Sequence, residues 1–404
     1  MVQSSTRREK LQKNFTRMFW IQALLNVRML NVVSTLFFIH RGLTIEQVFY
    51  LAIAFSVVNI ALEVPSSYLA DRWGRKKTIV LAITLLALEK VIYFTADSYT
   101  AMLFALGSYA AAFALFTGTD DALVYDTTRE LGEENQSVKE LGRYYSAQRF
   151  AKIVTPLVGA LIAQHLLDWQ FNIIIAIDLF AVAIALYSAF KLVEPYHHMD
   201  AFKQKQGILV DAFNLVRTDP VLIRTIISRT LIFIASFLVW RVHQLYFVDR
   251  GVLIVFVGIG MCLIQSIAFW LTRRLTERKS VAVVKEINRL NLWFTVFLIV
   301  FVVVSVIAPN PWFLLLLFVM FNSVEPVRWP LYSELYNKRS FSFNRATTLS
   351  LSNLIKCFFD IPLLFFGAWL VSQESVYLFA FAALLAIISV VLFRVPRHAI
   401  PATT

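Results

Sequence analysis

Apolar stretches of about 20 residues recur along this chain, parted by short polar segments. Twelve stand out: residues 17–40, 45–70, 76–96, 101–127, 143–165, 171–193, 220–247, 252–272, 282–308, 311–337, 345–371 and 375–395. Each is long enough to cross a hydrocarbon layer of about 30 Å as a helix rising about 1.5 Å per residue. A span in lipid must satisfy its own backbone hydrogen bonds, so the pattern predicts helices throughout.

The longest polar segment begins at Glu194 and divides the spans six and six. It reads as a linker, residues 194–219, between an N-terminal domain (1–193) and a C-terminal domain (220–404), with a short amphipathic helix over residues 208–216. His197 and His198 lie in it, but two adjacent histidines do not make a metal site. The halves repeat weakly. The segment Phe38-Ile39-His40-Arg41-Gly42 is similar to Phe247-Val248-Asp249-Arg250-Gly251. A shift of 204 residues also superposes Asp121 on Glu325, Glu130 on Glu334, Ser146 on Ser350 and Lys152 on Lys356. The matches keep the same order in each half.

Composition agrees with a membrane chain. Of the 404 residues, 58% are hydrophobic. A soluble chain of this kind would expose large apolar patches. The net charge of +12 would suit nucleic acid, but the cations have a different distribution. They gather in alternate loops, at Arg7–Arg17, Arg72–Lys77, Arg129–Arg143, Lys203–Arg217, Arg273–Arg289, Lys338–Arg345 and Arg394–Arg397, while the opposite loops hold only Arg41 and Arg250. That asymmetry predicts both termini in the cytoplasm of a plasma (inner) membrane protein, with the bilayer rather than nucleic acid as partner. The basic start precedes a run as long as a full span and lacks a small-residue cleavage site, so it is not read as a removable signal. Cys262 and Cys357 lie in separate spans, which excludes a disulfide framework. No phosphate loop, metal cluster or nucleophile elbow occurs. The expectation is no enzyme, no catalytic residue, no metal and no cofactor.

One short hinge, Ser67-Tyr68-Leu69-Ala70-Asp71-Arg72-Trp73-Gly74-Arg75-Lys76-Lys77, makes the second and third spans antiparallel neighbours. Cations alone would serve as topology signals, but they leave Asp71 and Gly74 unexplained. The hinge resembles motif A of the major facilitator superfamily, with Ser67 in place of its first glycine. The resemblance implies an all-α membrane protein: the MFS fold, twelve transmembrane helices in two six-helix pseudo-symmetric bundles, as a parallel duplication would give. It also implies a gating role for Asp71, Arg72, Gly74, Arg75 and Lys76, with Arg75 meeting Asp126 and Asp71 meeting the start of the eleventh helix near Thr347–Leu349.

Ionisable groups inside spans cost about 2.5–3.5 kcal/mol each on insertion scales, so they face protein or water. Ser56, Asn59, Glu63 and Ser66 form a polar stripe on the second span. Gly107, Ala111, Ala114, Gly118, Asp121 and Tyr125 share a face of the fourth and read as a close helix contact; Asp120 points elsewhere. Glu63, Asp120 and Asp121 are the proton-coupling candidates, with helix pairing as the plainer role. The substrate-cavity candidates are Arg28, Arg149, Lys152, Arg229, Arg241, Glu325, Arg328, Lys356 and Asp360. Glu325 with Arg328, and Lys356 with Asp360, are also spaced to pair with each other. The signs nearly cancel, so a strongly charged substrate is not demanded. Residues Ala151–Ala160, with Pro156 and Gly159, faintly resemble the antiporter motif C, while the motif B arginine is absent.

The words Glu63-Val64-Pro65-Ser66, Asp120-Asp121-Ala122-Leu123-Val124-Tyr125-Asp126 and Arg345-Ala346-Thr347-Thr348-Leu349-Ser350 look like a bacterial drug or efflux branch of that superfamily. The function implied is proton-coupled export of amphiphilic small molecules by alternating access, by a monomer energised by the proton gradient. An importer or facilitator of an organic solute is the alternative. A membrane receptor or scaffold is the alternative of another class, and the internal carboxyls argue against it.

Overall fold

The computed structural model describes residues 2–196, 219–276, 282–339 and 345–396. All regular structure among them is helical. Among the described residues, ten helical passes are long and apolar enough to cross a membrane. Two further helices complete the series. Ser137–Ile162 is long enough but carries Lys139, Arg143, Arg149 and Lys152; Ser375–Val391 is apolar but has 17 residues. The histidines at 197 and 198 and the helix expected over 208–216 lie outside the described residues, as do the side chains of residues 345–354.

The chain forms two compact units, residues 1–43 with 54–203, and residues 44–53 with 204–404. Phe49 and Ala52 are buried in the apolar core of the second unit, which is why residues 44–53 count with it. The first unit contains α1 (Val2–Leu25), a 3₁₀ turn at Met29–Val33, α2 (Ser34–His40), most of α3 (Ile45–Trp73), α4 (Arg75–Thr95), α5 (Tyr99–Phe116), α6 (Thr119–Glu130), α7 (Ser137–Ile162) and α8 (Asp168–Phe190). Its core gathers Met18, Ile21, Ile83, Leu123, Tyr144 and Ala185. The second contains α9 (Pro220–Val248), α10 (Ile254–Thr276), α11 (Val283–Ile307), α12 (Pro311–Asn322), α13 (Glu325–Arg339), α14 (Arg345–Gln373) and α15 (Ser375–Val391). Here Phe321 meets Phe294, Phe301 and Phe318 edge-on at 5.5–5.7 Å. Such pairs add about 0.5–1.5 kcal/mol each beyond area burial.

Three predicted spans are not continuous. The first loses its helix after Leu25 and restarts at Met29. A break inside a membrane must find partners for the freed backbone groups. Asp178, fully buried on α8, accepts the Met29 and Leu30 N–H groups at 2.8 and 3.3 Å. Gly159 of α7 lies so close that a Cβ would stand 2.5 Å from the Met29 carbonyl oxygen. The fourth span stops at Phe116 and restarts at Thr119, with Gly118 at φ 82°. The tenth stops at Asn322 and restarts at Glu325. The 204-residue shift carries Gly118 onto position 322, so both copies break at equivalent places.

The break in the fourth span corrects the small-residue face predicted there. Its α5 and α6 halves do not share one helical phase, and a Cβ on Gly107 or Gly118 would meet nothing within 4 Å. Gly118 is used for its left-handed backbone, which glycine adopts without a steric penalty.

Candidate functional site

At the hinge, the polarity of residues 71–77 ends α3 and starts α4 within a single residue, Gly74, at φ 100°. Arg75 lies between two carboxylates: Nη1 is 2.8 Å from Asp71 and Nε 3.5 Å from Asp126 of α6. Arg72 is exposed and reaches the Tyr68 hydroxyl at 3.4 Å. The first turn of α4 leaves backbone N–H groups without intrahelical partners. Glu194 supplies them: its two oxygens accept the N–H groups of Arg75 and Lys76, each at 2.7 Å. An anion at this end is also favoured by the helix dipole. A Cβ on Gly74 would stand 2.9 Å from the Glu194 carboxyl carbon. Gly74 is therefore needed twice, for its backbone angle and for the space that admits this carboxylate.

Glu194 is itself held. Arg7 donates to its carbonyl oxygen at 3.2 Å and to the Glu130 carboxylate at 2.7 Å. Tyr196 donates its N–H to Glu130 at 2.7 Å, under the Arg7 guanidinium. Asn14 exchanges two hydrogen bonds with the Val193 backbone, 2.8 and 3.0 Å. The basic start thus fastens residues 191–196 to α1. Sequence reasoning missed Glu194 because it stands at the head of an apparent linker, and a capping residue over 100 positions away leaves no local signal.

Deeper in the first unit, Asp120 and Asp121 occupy the first turn of α6. Tyr144 and Tyr145 come from α7. The Tyr144 hydroxyl donates to Asp120 at 2.6 Å, with Gln22 Oε1 3.1 Å away; the Tyr145 hydroxyl donates to Asp121 at 2.6 Å. Asp120 is buried and Asp121 half-buried. Arg28, inside the broken first span, donates to the Tyr109 hydroxyl at 2.6 Å and to the Leu25 carbonyl at 3.0 Å. Lys152 donates to Gln148 at 3.0 Å and, like Arg149, is exposed on α7. Glu63 is half-buried on α3. The sequence reading passed over a buried neighbouring pair, Glu89 and Lys90, 3.3 Å apart on α4, and Asp178. Their signal was available as charges in the middle of apolar runs.

In the second unit, Arg328 is fully buried. It donates to Asn291 of α11 at 2.8 Å and to Glu325 one turn back on α13. Lys356 donates to Asp360 at 2.9 Å along α14. Arg229 and Arg241 are half-buried on α9 and lie against aromatic rings. Among the described residues, no group of three or more His, Cys, Asp or Glu side chains is placed to hold a metal ion.

Helical passes long and apolar enough to cross a bilayer, with charged side chains paired among them, define a multi-pass membrane protein. A profile described as Major Facilitator Superfamily matches residues 21–361, and the chain belongs to that family. Solved structures with a similar fold include the nucleoside transporter NupG, at 15% identity and TM-score 0.74 over 95% of this chain and 98% of that one. A bacterial homolog of the human lysosomal transporter Spinster follows at 13% identity and TM-score 0.73, covering 97% and 99%. A structure from the proton-dependent oligopeptide transporters has 14% identity and TM-score 0.70, covering 97% and 98%. No curated protein sequence matches the chain.

Proposed function

We propose that this chain is a secondary active transporter that exports amphiphilic small molecules, driven by the proton gradient and working by alternating access. In this reading it acts as a monomer in the plasma (inner) membrane, with both termini in the cytoplasm. The observation that carries the reading is the Asp120–Asp121 pair. Two adjacent carboxyls stand at the restart of a broken span, each bonded to a tyrosine hydroxyl. A phenol both donates and accepts, so either carboxyl can gain or lose a proton without losing its partner. Glu63 is the further candidate carrier. The proton-dependent transporters among the similar folds support the choice of energy source.

Asp71, Arg72, Gly74, Arg75, Lys76 and Asp126 are assigned to gating. Two states of similar free energy can be rebalanced by a few kcal/mol of charge pairing.

The test is uphill transport in proteoliposomes with an imposed pH gradient, using a substrate found by thermal-shift screening. Asp120→Asn, Asp121→Asn or Glu63→Gln, whichever removes the carrier, should abolish uphill transport and leave substrate exchange. Normal uphill rates in all three single variants would refute coupling through these carboxyls.

A further inference from the structure

The α1 half of the first span ends at Leu25, and its last turn carries Gln22. Gln22 is buried, as are Asp120 of α6 and Tyr144 of α7. These three side chains meet at one atom. The Tyr144 hydroxyl stands 2.6 Å from Asp120 Oδ2 and 3.1 Å from Gln22 Oε1. It has a single proton for two acceptors. The shorter contact is that of a hydroxyl donating to a carboxylate. With Asp120 ionised, Gln22 therefore holds the weaker share. The titratable groups around Asp120 are Asp121 beside it on α6 and Tyr144 and Tyr145 from α7. From α1 comes the neutral Gln22. Beyond Gln22, side chains fasten the break to this last turn. Asn26 donates to the Gln22 carbonyl at 2.8 Å. Arg28 donates to the Leu25 carbonyl at 3.0 Å and to the Tyr109 hydroxyl at 2.6 Å. A shift of Gln22 is thus felt at the break and at Arg28, the cavity candidate.

We infer that Tyr144 and Gln22 pass the protonation state of Asp120 to the break in the first span, which makes Gln22 a positioning residue for coupling. The inference rests on the transporter reading and deepens it, by naming a route from the proton site to a neighbouring span. When Asp120 takes up a proton, its carboxyl O–H donates to the Tyr144 oxygen. The Tyr144 hydroxyl then turns its own proton to Gln22 Oε1, and α1 gains a full hydrogen bond to α7. When Asp120 loses the proton, the hydroxyl turns back and α1 loses that bond. No proton leaves Tyr144 in either direction, so only Asp120 changes charge. One net hydrogen bond moves a two-state balance by roughly tenfold, or about 1.4 kcal/mol.

The test uses full-length protein without Cys262 and Cys357, in nanodiscs, with a nitroxide on Val27→Cys, a half-buried position at the break. Protonation of Asp120 is followed by its infrared carbonyl band, assigned as the band missing from Asp120→Asn. The ratio of the label's two mobility states should change roughly tenfold as that band appears with falling pH. Gln22→Met is close in shape and lacks only the acceptor. It should leave the band titrating, cut the label's change to less than about twofold and slow uphill transport in proteoliposomes roughly tenfold. Tyr144→Phe should do the same; if it does not fold, Gln22→Met alone decides. A wild-type label insensitive to pH, a response that survives Asp120→Asn, a full response in Gln22→Met, or loss of the carbonyl band in Gln22→Met would overturn the inference. The full label response without uphill transport in the wild type would sink the transporter reading alone. Uphill transport that needs Asp120 yet runs at the normal rate in Gln22→Met would sink this inference alone.

Discussion

Removing the Glu194 carboxylate tests whether the hinge is built from a distance. Glu194→Ala leaves the Arg75 and Lys76 N–H groups without their acceptors. Loss of a helix cap costs about 0.5–2 kcal/mol, and loss of an anion at a helix N-terminus about 0.3–1 kcal/mol more. A combined loss of about 2 kcal/mol corresponds to a fall in Tm of roughly 4–8 °C for a unit of this size. Gly74→Ala acts on the same contact from the other side. It strains a backbone at φ 100°, by about 1–3 kcal/mol, and its Cβ displaces the carboxylate, which forfeits the cap as well. In the Glu194→Ala background only the strain remains. The double variant should therefore be about 2 kcal/mol less destabilised than the sum of the singles, by the cap terms just used. The assay is thermal unfolding of the four proteins in one detergent. Additivity within about 0.5 kcal/mol would refute the coupling between Gly74 and Glu194.

Other outcomes follow from the same geometry. Tyr144→Phe should lower stability by about 1–3 kcal/mol, because a buried carboxyl loses its donor, and Tyr145→Phe by less, since Asp121 is more exposed; equal melting temperatures would contradict this. Asp178→Ala should destabilise the first unit more than Asp178→Asn, which keeps an acceptor for the Met29 and Leu30 N–H groups, as hydrogen exchange at those two amides would report. Gly159→Ala should cost about 1–3 kcal/mol, because its Cβ meets a backbone carbonyl rather than a pliable side chain; an unchanged melt would show that α7 can shift. Cysteines at Asn135 and Ser98, both exposed in the wild-type chain, should react with impermeant reagent from opposite sides of the membrane, in a background without Cys262 and Cys357. Labelling of both from one side would overturn the topology.

Hydropathy made the helical passes legible because burying a backbone in lipid leaves few options. The i,i+3 and i,i+4 pairs, Glu325 with Arg328 and Lys356 with Asp360, were also readable, since both partners sit on one helix. The breaks were not. A sliding apolar average passes over residues 26–28 and 117–118 unchanged, and Gly118 suits a tight helix contact as well as a left-handed turn. Tyr144 and Tyr145 gave no signal, because a tyrosine in a membrane helix is at home at an interface, in a core or beside an acid. Glu194 and Asp178 act on backbone groups distant in sequence, where only the folded chain reveals the partner.

The broken fourth span has a consequence for how the chain enters the membrane. Its α6 half carries Asp120, Asp121, Asp126, Arg129 and Glu130, and such a segment cannot rest in lipid unaided at about 2.5–3.5 kcal/mol per central charge. Tyr144 and Tyr145 lie 24 residues further on. At about 5–20 residues per second of synthesis, they arrive roughly 1–5 s after the acids they bind. During that interval α5 can settle as an apolar segment while α6 waits in water or against the insertion machinery. The left-handed joint at Gly118 lets one half commit before the other. A chain with an unbroken fourth helix would have to carry its acids in at once or hold the whole span back.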